Sequence, residues 1–433
     1  MVKISFLGAC QEVGRSAVLF ESEKTGDTIL CDYGTKMSSN DQNFPVHVSG
    51  KNLTAMVLTH AHIDHSGGIP LFYISGSVPL ICTELTFRVT EILLQDMVSI
   101  TESYLPFEKP EIDKMKRYAQ FFAYNERKKV GKGTYITLYN AGHIPGSAVV
   151  LIEMDGKRLL YTGDINTTPT RLLNPFDPTE IPELDAIVTE STYGTIDHAD
   201  RIKIEDEFLT DVKSVVDKKG IVVIPAFGVG RSQEMLMVLY RNSEAPYPVI
   251  VDGMARKVAY LYEKYPKMLR DPMALANAID KAHFIQQRKS SAERDSVLET
   301  PGVIVSPSGM LKGGVSRMYV EKIQDDPNSA IFLVSYQIEA TPGRVLLEKG
   351  ELVDENLQNA VAVKSKYRHF DFSSHSGKTE LLKMLQTLKF VNPTEKRVYC
   401  VHGEKETMMN FAESARAAGF IVETPIENQK YTL

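Results

Sequence analysis

The sequence predicts an α/β protein in which a doubly wound parallel-sheet domain is inserted between two strand-rich flanks that fold together. Three observations carry this expectation. The first 195 residues hold many short strand patterns with two helical patterns among them. From about 200 to 350 apolar strands alternate with helices, and strands apolar on both faces imply a parallel sheet covered on both sides. The residues with evident chemistry lie mostly outside that middle segment, so the flanks have to meet across it. The expected division is 1–198 and 356–433 for the flanking domain and 199–355 for the insertion.

Along the first flank, strand patterns fall at 2–7, 15–20, 28–32, 55–59, 149–154, 158–162 and 185–189, with helices near 84–100 and 108–122. Asp155-Gly156 between two alternating runs is a strong two-residue hairpin signal. In the middle segment an amphipathic helix near 202–218 leads into Ile221-Val222-Val223-Ile224-Pro225-Ala226-Phe227 and a helix from about 231. Strands follow at Pro248-Val249-Ile250-Val251, with a helix after Asp252-Gly253, and at Gly302-Val303-Ile304-Val305 and Ala330-Ile331-Phe332-Leu333-Val334. The last flank reads as strand 360–363, helix 377–389, strand 397–401, helix 404–418 and strand 420–424.

Composition narrows the classes of function. The 433 residues are 43% hydrophobic and 24% charged, ordinary for a globular protein. A net charge of −6 excludes a global cationic field, so any polyanion would need a local binding surface. Cys10, Cys31, Cys82 and Cys400 show no C-x-x-C spacing and read as buried reduced thiols. No signal region precedes the opening strand and no apolar stretch reaches about 18 residues, so no membrane partner and a cytoplasmic location are expected.

The chemistry concentrates in His60-Ala61-His62-Ile63-Asp64-His65, directly after the apolar run Leu53-Thr54-Ala55-Met56-Val57-Leu58-Thr59. A strand end fixes the backbone, so His60 and His62 should project to one side while Asp64 and His65 turn toward another. Closely spaced imidazoles suit a borderline-soft ion such as zinc, and two facing pairs suit two ions. A His-rich surface turn is the bland reading, but four crowded ionisable groups at a strand terminus have little use in a core.

Other strand ends carry similar residues. Asp32 follows Thr28-Ile29-Leu30-Cys31, where burial is costly unless its carboxylate finds partners. His143 sits in Ala141-Gly142-His143-Ile144-Pro145-Gly146-Ser147, a glycine-flanked turn with room for the ring to reach an ion. Asp164 follows Leu159-Leu160-Tyr161-Thr162 through Gly163, and its two oxygens could bridge two metals. His402 ends Arg397-Val398-Tyr399-Cys400-Val401. Taken singly, each is as easily structural; their shared placement favours a joint metal site.

H-x-H-x-D-H, then the G-H-x-x-G-S turn and the T-G-D strand end, resembles the metallo-β-lactamase fold. That resemblance implies an αββα sandwich with two zinc ions between its sheets. The insertion, with Glu190 in Thr189-Glu190-Ser191-Thr192-Tyr193-Gly194, His375 in Phe372-Ser373-Ser374-His375-Ser376-Gly377, and His402 in Val401-His402-Gly403-Glu404, is similar to the β-CASP group of nucleases. The F-S-x-H form around His375 looks closer to the cleavage and polyadenylation factor branch than to RNase J. The resemblance implies that His60, His62 and His143 hold one zinc and that Asp64, His65 and His402 hold the other. Asp164 would bridge and Asp32 would orient the site. His375, poised by Glu190, would donate the leaving-group proton or stabilise the charge that develops there. The implied function is a zinc-dependent ribonuclease acting on single-stranded RNA, with a homodimer consistent with the resemblance.

Substrate contacts are expected from Lys364, Lys366 and Arg368, interleaved with Tyr367 and Phe370 as base-stacking rings. Ser373 and Ser374 would hydrogen-bond a phosphate beside the metals. Gly230, Arg231 and Ser232 open a helix after a strand, a natural anion site, though G-V-G-R-S lacks a dinucleotide fingerprint. Ser308-Gly309 and Gly313-Gly314 let backbone approach a ligand. Set over the metals, the insertion would wall a cleft that admits one strand and excludes duplex. His47, His198, His283 and His369 have no motif support and read as structural or surface residues. Two other functions stay open on residues alone: a small-molecule thioesterase or lactonase, and a non-catalytic subunit of a processing complex.

Overall fold

The structure, a computed structural model, describes residues 1–36, 44–100, 105–286, 290–339, 341–354 and 359–433. These divide into two units.

The first unit holds Met1–Pro169, Pro175–Asp197 and Ser374–Leu433. One seven-stranded sheet runs Lys430–Thr432, Val2–Phe6, Val18–Ser22, Thr28–Cys31, Ala55–Val57, Leu80–Cys82, Ala119–Phe121. The other runs Ile421–Glu423, Arg397–Val401, Ala186–Glu190, Lys157–Tyr161, Ala148–Met154, Tyr135–Asn140, Lys128–Lys129. Alternate residues of a strand share a face, and the two inner faces make one core: Ile4, Phe6, Phe20 and Val57 pack with Ile136, Val150, Ile152 and Val188. Behind the first sheet, Leu30, Met56 and Leu80 meet Phe87 and Leu94 of helix Glu84–Ile100 and Met115 of helix Lys109–Tyr118. Behind the second, Leu160, Ile187 and Val398 meet helices Lys378–Thr387 and Lys405–Ala417. This is the αββα sandwich.

Local chemistry explains where elements start and stop. Met154 pairs with Lys157 across Asp155 (φ 53°) and Gly156 (φ 80°), the left-handed pair a two-residue hairpin needs. The helix expected over 108–122 stops at Tyr118, and Ala119–Phe121 continues as an edge strand on Leu80–Cys82. The strand expected from 15 starts at Val18, because Ala9, Gln11 and Arg15 before it are left-handed and cannot extend. The short strands Leu80–Cys82 and Lys430–Thr432 gave no periodicity to read.

The second unit holds Thr170–Asn174 and His198–Ser373. Its main sheet has six strands, all parallel, in the order His283–Phe284, Val249–Val251, Gly302–Ser306, Ile221–Pro225, Ala330–Leu333, Lys366–His369, and a separate antiparallel pair joins Glu351–Val353 to Ala360–Ala362. Helices Arg201–Asp217 and Arg231–Leu239 cover one face, and Gly314–Ile323 and Pro342–Lys349 the other. The return to the flank, expected at 356, therefore moves to Ser374. Lys366–His369 extends this sheet, and Phe370 and Phe372 are buried in its core. The segment Thr170–Asn174 joins the unit because the Glu234 carboxylate accepts the N–H groups of Arg171 (3.0 Å) and Leu172 (2.9 Å).

Phe208, fully buried, centres an aromatic cluster with ring centroids 5.2 Å from Phe370, 5.3 Å from Phe372 and 6.1 Å from Phe332. Phe208→Ala should destabilise this unit by about 3–5 kcal/mol. Urea unfolding measures it, and a loss below about 1 kcal/mol would place the cluster outside the core.

Candidate metal centre

The candidate metal ligands of the first unit sit just beyond strands, and Glu190 ends one, Ala186–Glu190. His60 to His65 follow Ala55–Val57 and enter the short helix Ile63–Ser66. Asp32 (φ 58°) follows Thr28–Cys31 and His402 (φ 49°) follows Arg397–Val401. Left-handed backbone costs a non-glycine residue about 1–3 kcal/mol and survives where its surroundings over-determine it. Asp164 follows Lys157–Tyr161 by way of Gly163 (φ 53°), where a Cβ would lie 2.7 Å from Thr59 Oγ1. Only glycine lets the Asp164 turn approach the strand end that carries His60.

These turns bring seven side chains together. The ligand atoms of His60, His62, His143 and Asp164 all lie within 4.8 Å of one another, as do those of Asp64, His65 and His402. Asp164 faces both groups with different oxygens. Its Oδ2 is 3.5 Å from His60 Nε2 and 3.7 Å from His143 Nε2. Its Oδ1 is 3.3 Å from His65 Nε2 and 3.4 Å from His402 Nδ1. His402 Nε2 lies 3.3 Å from Asp64 Oδ2, and His143 Nε2 lies 3.1 Å from His62 Nδ1.

Hydrogen bonds behind the ligands fix which nitrogen points inward. Asp32 is fully buried and accepts from the Thr59 N–H (2.8 Å), the Thr59 hydroxyl (2.8 Å), the Tyr161 hydroxyl (3.0 Å) and His65 Nδ1 (2.8 Å). Thr59 Oγ1, having given its proton to Asp32, can accept from His60 Nδ1 at 3.1 Å. His143 Nδ1 donates to the Ser374 carbonyl at 3.0 Å. Each arrangement leaves Nε2 with its lone pair toward the centre. Thr59 and Tyr161 were not flagged by sequence reading, although one precedes His60 and the other stands in the strand that leads to Asp164.

The electrostatics match a cation site. Burial pushes His60 and His143 well below the ordinary imidazole pKa, and His62 to about 4, so these rings are neutral, the ligand form. Burial opposes the charged forms of His65 and His402 too, but Asp164 outweighs it and raises both. Burial likewise opposes ionisation of Asp164, and the imidazoles of His402 and His65 overcome it. His60 Nε2 and Asp164 Oδ1 are buried and make no hydrogen bond. Buried polar atoms are rarely left so. The nitrogen and carboxylate donors fit a divalent ion such as zinc.

His375 stands beside this group. Its Nδ1 is 2.9 Å from both oxygens of Glu190, which is 1% exposed and also accepts the Ile165 N–H at 2.7 Å. Burial alone would lower the His375 pKa; Glu190, then Asp164, raise it to about 9. Its Nε2 lies 4.0 Å from Asp164 Oδ2. Glu190 also groups with Asp164 and His402 by ligand distance, but both its oxygens are engaged by His375. The His375 side chain is 18% exposed and that of Asp64 31%, against 4% or less for His60, His65, His143 and His402. Solvent therefore reaches the centre past His375, Asp64 and His62, which is also half-buried.

The expected substrate contacts outside Ser374 lie in the second unit. Lys364 pairs with Asp325 at 2.8 Å, and Arg368 pairs with Asp211 at 2.7 Å and with Glu207 at 2.5 Å. Lys366 is exposed on the edge strand. Phe370 is 3% exposed, so it cannot stack on a base as expected. The anion site expected at Gly230-Arg231-Ser232 is also corrected. Arg231 and Ser232 are buried, and their N–H groups bond the carbonyls of Val229 (2.9 Å) and Phe227 (3.1 Å). Ser232 Oγ donates to Phe227 as well. Ser308 is half-buried, with its hydroxyl 3.4 Å from the Gly313 carbonyl, and Ser373 donates its N–H to Asp371 at 3.2 Å. His47 and His369 are exposed, His198 pairs with Asp371 and His283 with Glu293, so these four histidines read as surface or locally paired residues.

Fold and side chains together define a metallo-hydrolase. Comparison with known sequences agrees: residues 11–210 match the metallo-β-lactamase superfamily and residues 232–346 the β-CASP domain. Residues 360–425 match the domain described as "Zn-dependent metallo-hydrolase RNA specificity domain". The chain is 34% identical to RNase aCSPSF2 of Saccharolobus solfataricus, over 99% of this chain and 85% of that one. It is 32% identical to the Probable RNase MJ4 of Methanocaldococcus jannaschii, over 99% of both. The transcription termination factor FttA of the same organism is also 32% identical, over 96% of this chain and 69% of its own length. A solved structure from Enterococcus faecalis, of unknown function, shares the fold at a TM-score of 0.62 and 12% identity, covering 100% of both chains. The chain belongs to the β-CASP group of the metallo-β-lactamase superfamily. That fold implies a divalent metal, and the His/Asp groups described above are able to bind one.

Proposed function

We propose that this chain, a metal-dependent ribonuclease of the β-CASP group, hydrolyses single-stranded RNA with two zinc ions held side by side. His60, His62 and His143 would hold one, Asp64, His65 and His402 the other, with Asp164 shared. The observation that carries this reading is the Asp164 carboxylate, whose two oxygens face two different sets of imidazoles. When bound, a zinc pair supplies Lewis-acid activation of water and of the phosphodiester oxygens. Asp32 keeps His60 and His65 in the ligand tautomer. His375, protonated at neutral pH, gives its Nε2 proton to the departing 3′ oxygen, and Glu190 holds the ring and stabilises its charged form. Ser373 and Ser374 beside it are the proposed phosphate contacts, and Lys366 a contact for the RNA backbone.

RNA as substrate is supported by the RNase names of two relatives and by the match to an RNA specificity domain. We propose that internal cleavage and 5′-to-3′ trimming draw on the same centre. The test compares 5′-monophosphate, 5′-triphosphate and circular RNA, with and without chelator, beside thioester and lactone substrates. RNA cleavage lost on chelation and restored by zinc is the expected result. Cutting of circular RNA would assign an internal mode; dependence on a 5′ monophosphate would assign trimming. Turnover of the esters with RNA untouched would defeat the reading.

A further inference from the structure

The loop Gly8–Ser16, between strands Val2–Phe6 and Val18–Ser22, touches the metal centre at two points far apart in the sequence. At one end Ser16 donates its N–H to the Asp64 carbonyl (2.9 Å), and its hydroxyl lies 3.2 Å from His65 Nε2. At the other, the carbonyls of Ala9 and Glu12 accept the N–H groups of His402 (2.8 Å) and Gly403 (3.1 Å). These contacts all fall on the Asp64–His65–His402 group. The loop is the piece of chain that spans from the turn after Ala55–Val57 to the strand end that carries His402.

Its shape does not come free. Ala9 (φ 54°), Gln11 (φ 60°) and Arg15 (φ 52°) are left-handed, each at a cost of about 1–3 kcal/mol. Gly8 lies against the Arg15 carbonyl, where a Cβ would sit 1.9 Å from the oxygen. One side chain gathers the loop. Arg15 Nε donates to Glu12 Oε1 (2.7 Å), Nη2 to Glu427 Oε2 (3.0 Å) and Nη1 to the Phe44 carbonyl (3.1 Å). Lys36 Nζ takes the other Glu12 oxygen at 3.2 Å. The Arg15 side chain is 12% exposed, and a planar guanidinium reaching three acceptors on separate segments holds their mutual geometry as a lysine could not.

We propose that Arg15 is a positioning residue. Through the loop Gly8–Ser16 it fixes Asp64 and His402 relative to each other, and so sets the affinity of that ligand group for its divalent cation, independently of the His60–His62–His143 group. The inference rests on the two-zinc reading above.

Zinc affinity, measured by competition with a chromophoric chelator in single-site backgrounds, tests it. In His62→Ala, which keeps the Asp64–His65–His402 group, adding Arg15→Gln should weaken zinc binding about tenfold or more. In His402→Ala, which keeps the three-histidine group, the same change should alter it by less than about twofold. Glu427→Ala removes one of the three Arg15 partners and should give the same pattern at smaller amplitude, which guards against a misfolded Arg15 variant. Equal weakening in both backgrounds, or none in either, overturns the proposal. If the parental protein binds one zinc per chain, the two-zinc reading itself has failed and takes this inference with it; parental stoichiometry thus tells the two failures apart.

Discussion

Asp164→Ala is expected to stop RNA hydrolysis and to lower the zinc content of the purified protein. The carboxylate is 3% exposed and meets His65 at 3.3 Å, His402 at 3.4 Å, His60 at 3.5 Å and His143 at 3.7 Å. Without it, four imidazoles face one another with no anion between them, and the two ligand groups lose the residue they share. Two-metal centres contribute several kcal/mol to the transition state, so a loss of at least about a thousandfold in kcat should follow, roughly 4 kcal/mol. Asp164→Asn is the stricter variant, since it keeps the shape and removes only the charge. Digestion of labelled RNA by either variant at the parental rate, or unchanged zinc by elemental analysis, would remove the basis of the proposed mechanism.

His375→Ala should behave differently, cutting turnover by about 10²–10⁴-fold while zinc stays bound. Loss of the metal in this variant would make His375 a ligand instead. The pH profile separates proton donation from mere packing. Because Glu190 raises the His375 pKa, the donor form is present below the raised value and kcat should fall as pH rises through it. Glu190→Gln keeps the hydrogen-bonding shape but removes the first of the charges that raise the pKa, so the alkaline limb should move to lower pH. A limb that stays in place in Glu190→Gln would rule out His375 as the group that titrates.

The sequence exposes the clustered His and Asp residues because their pattern is local: His60 to His65 lie within one short segment, and Asp164 and His402 each stand at the end of an apolar strand. The parallel sheet of the insertion is equally visible, since Ile221–Pro225 and Gly302–Ser306 are apolar on both faces. What local pattern cannot carry is pairing across long separations. Lys366–His369 reads as a basic surface run, and only its register on Ala330–Leu333 makes it the edge of the second unit's sheet. Phe370, next to it, looks like a stacking platform and is a core residue for the same reason. The Thr59 and Tyr161 bonds to Asp32, and the grip of Arg15 on Glu427, join residues that no short spacing relates.

The first sheet pairs the strand Val2–Phe6 with Lys430–Thr432, and the ligand group near it takes His402 from the last flank. Protein synthesis runs from one end of that arrangement to the other. While the ribosome is still extending the chain through the insertion, His60 to His65, His143 and Asp164 have been made but His402 has not. A nascent chain therefore carries the Asp64–His65–His402 group incomplete until the strand Arg397–Val401 and the turn after it have been made.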